Sequence, residues 1–474
     1  MKLSARLFIN VLIISSFVLS LTSCASFLGK ILDKAEDDLT KEAEYPSVDF
    51  ESGSAILHYG DSKTLSVTAS VDDGGTLSYQ WFSGTKNDSS KATIISSADS
   101  SSYTITAPNQ EVEKTYYWCQ VTNKNPKSGK TNSAWSSAYD ITVSNIIRYS
   151  GAYITENTTW DSTYTYFITS WVEVEKSLVI PKGTVIKFAK DAYLETSGSG
   201  TITVNGSITD EETAPVIFTS YLDHSVGITI PEYASSATKA EKGDWEGIEI
   251  SGAQGSKFDY VIFRYANSAL ELNKKTTVQN CVFTNNKSND DFSGALTIRE
   301  DANESVVKNN IFYNNDWPLY VSANYSVDTS NIFHNPDDES VTNTNQAIVL
   351  DCGKYIKQGK TVNWMVTELP YFAAHGTWVS VDAGGLLNIG DDDNDVIVKF
   401  NNGFYLETND SNGLIKLGQN SILTSWKDDE HGGDIENNGQ PADPEDGDWD
   451  GVRIAGADCF GWKNALNMDS ERVL

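Results

Sequence analysis

Positive charge is scarce in this chain. Lys and Arg total 35 against 65 Asp and Glu, leaving a formal charge of −30 over 474 residues. Such a field repels nucleic acid and anionic lipid headgroups and draws in cations, so nucleic-acid binding is excluded. Cysteine is scarce too, at five. Cys119, Cys281, Cys352 and Cys459 lie far apart, without the spacing of a metal site. An exported protein can form disulfides, but nothing in the sequence pairs these four, and each reads better as a small buried hydrophobe. Five histidines, none clustered with Ser or Cys, leave little material for nucleophilic catalysis. The one apolar run of any length, Leu7 to Leu21, is interrupted by Asn10 and is shorter than the about 20 residues a membrane-spanning helix needs.

That run is instead the middle of an export signal. Lys2 and Arg6 precede it, and Leu21-Thr22-Ser23-Cys24 ends it. The four residues resemble the bacterial lipobox, although Ser23 stands where Gly or Ala is commoner. The resemblance implies removal of residues 1–23 and a diacylglycerol on the Cys24 thiol. The protein is then anchored in the bacterial envelope, at the outer membrane or cell surface, because two or three acyl chains exceed the marginal hold of one. The competing reading is an ordinary secretory signal beside a chance Cys; position and flanks favour the lipoprotein. Residues 24–46 are charged, with Phe27, Leu28, Ile31, Leu32 and Ala35 at helical spacing. They form a tether or a helix lying on the membrane, and we favour the tether.

From 47 to 145 the pattern is short alternating strands between Gly, Asp and Ser turns. Leu77-Ser78-Tyr79-Gln80-Trp81 and Tyr116-Tyr117-Trp118-Cys119 are its strongest segments. They resemble an immunoglobulin-like β-sandwich, with Trp81 as the core tryptophan and Tyr117, two before Cys119, as the tyrosine corner. Val67 and Ala69 occupy the place of the partner cysteine, so no inter-sheet disulfide is expected. Such a module serves adhesion or spacing, and fold alone does not choose between them.

Beyond 146 the chain repeats itself. Val185-Ile186-Lys187-Phe188 and Tyr193-Leu194-Glu195-Thr196 return as Ile397-Val398-Lys399-Phe400 and Tyr405-Leu406-Glu407-Thr408. Trp160 matches Trp364, Ile217-Phe218-Thr219-Ser220 matches Ile422-Leu423-Thr424-Ser425, and Gly243-Asp244-Trp245 matches Gly447-Asp448-Trp449. A finer repeat lies between, with Phe263, Phe283, Phe312 and Phe333 in one frame and Asn-Asn pairs at 285–286, 309–310 and 314–315. Short strands with Asn-rich corners resemble the right-handed parallel β-helix. Each coil cannot bury its apolar face alone, so neighbours stack over a shared core. Asn fits the corners because it tolerates left-handed backbone and bonds nearby backbone, and stacked Asn form ladders. The expected fold is all-β: an Ig-like sandwich, a parallel β-helix over 146–360, and a partial second copy of its N-terminal unit over 361–474. That copy is short; either it is truncated or its tail, Asn464 to Met468, caps the stack.

Three groups of residues are candidates for sites. The loop from Trp426 to Gly439 concentrates oxygen ligands: Asp428, Asp434, Glu436 and Asn438, with Glu445 in the twelfth place of an Asp-x-Glu-x-Asn-Gly frame. Pro441 and Pro444 forbid the exit helix of an EF-hand, so this is either a structural Ca2+ loop between strands or a solvated acidic turn. Trp317, Tyr320 and Tyr325 offer a stacking platform for sugars, or else fill the core or cover it. Asp290-Asp291 is an adjacent acid pair within the complete coils, in a polar loop. Many parallel β-helices are polysaccharide lyases or glycosidases, but the Asn-Thr-Asp, Asp-Asp and Gly-His-Gly series of polygalacturonases is missing. The expectation is a non-catalytic surface protein that binds an extracellular glycan or protein partner; the alternatives are a carbohydrate-active enzyme of the pectate-lyase class and a passive spacer.

Overall fold

The computed structural model describes residues 25–208, 213–288, 293–435, 439 and 444–454, with the backbone alone for 457–459 and 472–473. Cys24, Asp290, Asp291, Glu436 and Asn438 lie outside the described residues. Apart from a helix over 25–40 and short 3-10 turns, the regular elements are strands. The chain divides into two units, Met1–Asn145 and Ile146–Leu474.

In the first unit, strand Thr76–Gly84 pairs antiparallel with Val112–Lys124 and sets Trp81 opposite Cys119. Both are fully buried, and Leu65, Val67, Ile105, Val121 and Ile141 close round them. Leu65 and Ile105 arrive on a separate antiparallel pair, Ser62–Ser66 with Ser102–Thr106. The indole of Trp81 donates to the Ser100 carbonyl at 2.9 Å, so this large side chain is buried without an orphaned N–H. Cys119 is free, and burial pushes its thiol up to about 11.

The second unit winds as a solenoid of parallel strands. Many of its strands alternate inward and outward side chains, and parallel pairing joins strands of successive coils along each face. Among the described residues the first face has seven strands, from Ile146–Tyr149 to Ile311–Tyr313, and the second eleven, from Ala152–Ile154 to Ile422–Ser425. The third has six, from Thr158–Thr159 to Val306–Lys308. One hydrophobic cluster fills the interior from Ile154 to Val452. Within it Phe218, Phe263, Phe283, Phe312 and Phe333 stack in file, with centroids 4.7–5.4 Å apart and planes within 16°.

The corners are built from the Asn pairs. The first of each pair, Asn285 and Asn314 at one corner and Asn309 at another, takes φ of 55–56°. The second points inward and forms a ladder: the Asn286 amide donates to Asn315 Oδ1 at 2.9 Å, and that of Asn315 to Asn343 Oδ1 at 2.9 Å. Asn310 and Asn331 make the same contact at another corner, at 3.0 Å. These side chains are almost fully buried and satisfied.

The two similar stretches are stacked one face out of step. Val185–Phe188 lies on the first face and Tyr193–Thr196 on the second, whereas Ile397–Phe400 continues the second face. Tyr405–Thr408 therefore begins beyond it, in a five-stranded sheet that starts at Lys354–Ile356. Only the second face crosses the seam, through Leu319–Ser322, Ile348–Asp351 and Tyr371–His375.

Candidate functional site

The acidic loop is held by the chain's own cation. Lys399 is buried beneath it, and its ammonium donates to the carbonyls of Asp428 at 2.7 Å and Gly433 at 2.5 Å. Burial pulls Lys399 below the usual amine value, against the pull of Asp429, Asp428 and Asp434. Asp428 is itself buried, accepting from Thr424 at 2.5 Å and facing His431 Nδ1 at 2.9 Å. Asp434 accepts from the Gly439 N–H at 2.9 Å, and Glu445 is exposed, with its own N–H bonded to Asp448. Among the described residues no three acidic, His or Cys side chains gather as a metal site.

The first stretch repeats this arrangement without the acidic loop. Lys187, also buried, donates to the Asp223 carbonyl at 2.8 Å, and the Asp223 carboxylate accepts from Thr219 at 2.6 Å. Ser220 bonds Asp244 as Ser425 bonds Asp448. Trp245 stacks on Phe188 at 4.1 Å, as Trp449 does on Phe400 at 4.5 Å. The Lys-Thr-Asp set is thus a strut that clamps an overlying loop in each stretch. Asp428 belongs to that strut: its Oδ2 accepts from Thr424 and faces His431 Nδ1, and its Oδ1 accepts from the His431 N–H at 3.2 Å.

The expected sugar platform is not formed. Tyr320 and Tyr325 are 1% and 3% exposed. Tyr325 lies in the interior cluster, with its hydroxyl on the Ser305 carbonyl, and Tyr320 sits under the Arg299 guanidinium. Trp317, half-buried, packs with Phe372 and Ile435 of the loop. Tyr325 fills the core, while Tyr320 and Trp317 are covered from outside it.

A different surface stands out on the second face. Four glutamates occupy successive coils in register: Glu173 opposite Glu195, Glu195 opposite Glu249, and Glu249 opposite Glu271. Strand spacing puts neighbours about 4.8 Å apart along the coil axis. Only the last is neutralised, by Arg299 at 2.9 Å. Glu173 and Glu195 have no ion-pair partner among the described residues, and burial together with the charges of Glu173 and Glu249 pushes Glu195 above the usual carboxylate range. Beside the ladder runs the row Trp171, Tyr193, Gly247, Ser268. Gly247 has φ of 138°, and a Cβ there would meet the Ser268 carbonyl at 1.8 Å. An open groove of about 330 Å³ lies here, lined by Tyr193, Gly247 and the carboxylates of Glu195, Glu246, Glu249 and Glu271.

No protein-family model and no curated protein matches this sequence. Two solved structures are similar to it. One is the pectate lyase PelI from Erwinia chrysanthemi in complex with tetragalacturonic acid, at 11% identity over 87% of this chain and 100% of that one, with a TM-score of 0.13. The other is the pectate lyase Pel3 from Pectobacterium carotovorum, at 9% identity over the same shares, also with a TM-score of 0.13. Superposition that poor locates no site in this chain, so the groove stands on its own geometry.

The glutamates were legible as a pattern that sequence reading passed over. Trp171-Val172-Glu173-Val174, Tyr193-Leu194-Glu195-Thr196, Gly247-Ile248-Glu249-Ile250 and Ala269-Leu270-Glu271-Leu272 share one form, an outward Glu after an inward apolar residue. What the sequence lacked was the register that stacks them.

Proposed function

We propose that this chain is an envelope protein, lipid-anchored through Cys24, that presents its β-helix as a non-catalytic binding surface. The Ig-like first unit acts as the spacer, and residues 397–454 are read as a second copy of 185–250. One observation carries the reading: the groove at Tyr193 joins an outward aromatic ring to a row of carboxylates in which Glu195 has no ion-pair partner among the described residues. Leaving such groups in place costs stability, since in-register like charges repel by a fraction of a kcal/mol per pair in water. Glu249 accepts from Ser251 and Asn273 and Glu271 pairs with Arg299, but the inward residues of the same strands supply the packing.

The test has two arms. Fractionation of cells expressing Cys24→Ala should find the protein released from the membrane fraction; retention there would retire the lipid anchor. Glycan and protein arrays probed with the full chain should give binders that Tyr193→Ala loses. Unsaturated or hydrolysed products from acidic polysaccharides, abolished by Asp290→Ala or Asp291→Ala, would replace this reading with an enzymatic one.

A further inference from the structure

The two similar stretches differ at one outward position. In the second, Arg453 stands where the first has Glu249: each follows its Gly-Asp-Trp turn at the same distance, and each strand pairs with a Tyr-Leu-Glu-Thr strand in the same register. The Arg453 guanidinium lies 3.7 Å over the ring of Tyr405, and one of its nitrogens is 3.3 Å from Asp450. The matching groups of the first stretch are Tyr193 and Glu246, and both line the groove. The first stretch therefore keeps the ring, has Glu246, which accepts from the Asn267 amide at 3.2 Å, in the place of Asp450, and carries the carboxylate of Glu249 where the second carries the guanidinium.

We propose that the groove binds arginine side chains of an extended protein segment. This rests on the binding reading above and names the partner. A guanidinium suits the site better than an ammonium, because its planar fork both stacks on an aromatic face and meets a carboxylate with two parallel bonds. A segment suits it better than a single cation, because the carboxylates continue from Glu249 to Glu173 over successive coils. That run covers roughly 10 Å, the reach of about three extended residues, and alternate residues of such a segment face the same way. The net charge of −30 speeds the encounter with a basic partner.

The second stretch supplies the test. Labelled hexa-arginine is titrated into the full chain at about 0.15 M salt, where long-range attraction is largely screened. Wild type should bind one peptide at the groove, more tightly than hexa-lysine. Glu249→Arg imports the second stretch's own cation and should weaken binding tenfold or more, as should Tyr193→Ala. Arg453→Glu should expose the equivalent surface at Tyr405 and raise the stoichiometry from one to two. Thermal melts of each variant confirm that it folds. Equal binding by Glu249→Arg and wild type, or equal binding of hexa-lysine, would overturn the proposal. So would an amino-sugar hexamer that displaces the peptide and binds more tightly, although that result leaves the surface a binding one. Blank arrays in the preceding experiment would sink the broader reading instead.

Discussion

The residue that best shows what this molecule sacrifices is Glu195. Its carboxyl is held above the ordinary value by burial first and by Glu173 and Glu249 second. A raised carboxyl pKa means that the folded state disfavours the charged form, so the penalty is present at neutral pH and disappears once pH falls below the unfolded value near 4.5. Glu195→Gln should raise the melting temperature at pH 7 by roughly 1–2 °C, an estimate scaled to a unit of this size. The gain should shrink to nothing by about pH 3, below the carboxylate range. A gain that persists in acid would place its origin outside the ladder. Lys399 makes the opposite case, a charge that is buried and needed. Lys399→Met leaves two buried carbonyls without their donor, at a cost of about 1–3 kcal/mol each. Its melting temperature should fall by several degrees, while millimolar calcium should leave wild type unchanged. A calcium-dependent rise in wild type would show that metal, not Lys399, secures the loop. Lys399 reaches the acidic loop from Ile397–Phe400, a strand some thirty residues upstream in the chain, which no local pattern in the sequence announces. Only the fold brings the two together.

At the scale of the element, most of the solenoid was legible in the sequence. The phenylalanine frame and the Asn pairs are local signals with one physical meaning, an inward ring and a left-handed corner, and both occur where the pattern put them. The same corners explain where the pattern weakens. Tyr260 and Tyr265 sit at φ of 53° and 68° in the coil before Asn280 and Asn285, which take 56° at the matching corners. A side chain larger than Asn holds left-handed backbone at a cost of about 1–2 kcal/mol. Tyr260→Asn should therefore stabilise the β-helix, read as a higher melting temperature; an unchanged or lower one would mean that the ring's packing outweighs the backbone strain. Asn315→Ala should act in the other direction. It removes a donor from the Phe283 carbonyl at 2.9 Å and an acceptor from the Asn286 amide, both buried. The loss should reach about 2–4 kcal/mol in denaturant unfolding, because neither partner can turn to water. A loss below about 1 kcal/mol would reduce the ladder to ordinary packing.

For the whole molecule the decisive feature is the seam, which no local signal announces. Reading the sequence pairs Ile397–Phe400 with Val185–Phe188 but cannot say on which face the later strand lands; that depends on how far the chain turns between Ser322 and Ile348. The answer is one face on, so the first face ends at Ile311–Tyr313 and the third at Val306–Lys308, and new sheets begin at Lys354–Ile356 and Thr361–Trp364. In a stack of coils, stability is a sum of coil terms and nearest-neighbour interfaces. Most interfaces here carry three paired faces, whereas the seam carries one sheet and the shared apolar interior. It should be the weakest interface along the axis. Leu350, fully buried on the strand Ile348–Asp351, lies in that one sheet. Leu350→Ala removes about 2–5 kcal/mol of packing there, enough to uncouple the two stacks without unfolding either. Hydrogen-exchange mass spectrometry should then find strands from Ile348 onward opening together, ahead of those before Ser322. In wild type the two sets should open in one event. If the variant still opens as a single body, the apolar interior rather than sheet pairing is what joins the stacks, and the out-of-step arrangement has no mechanical consequence.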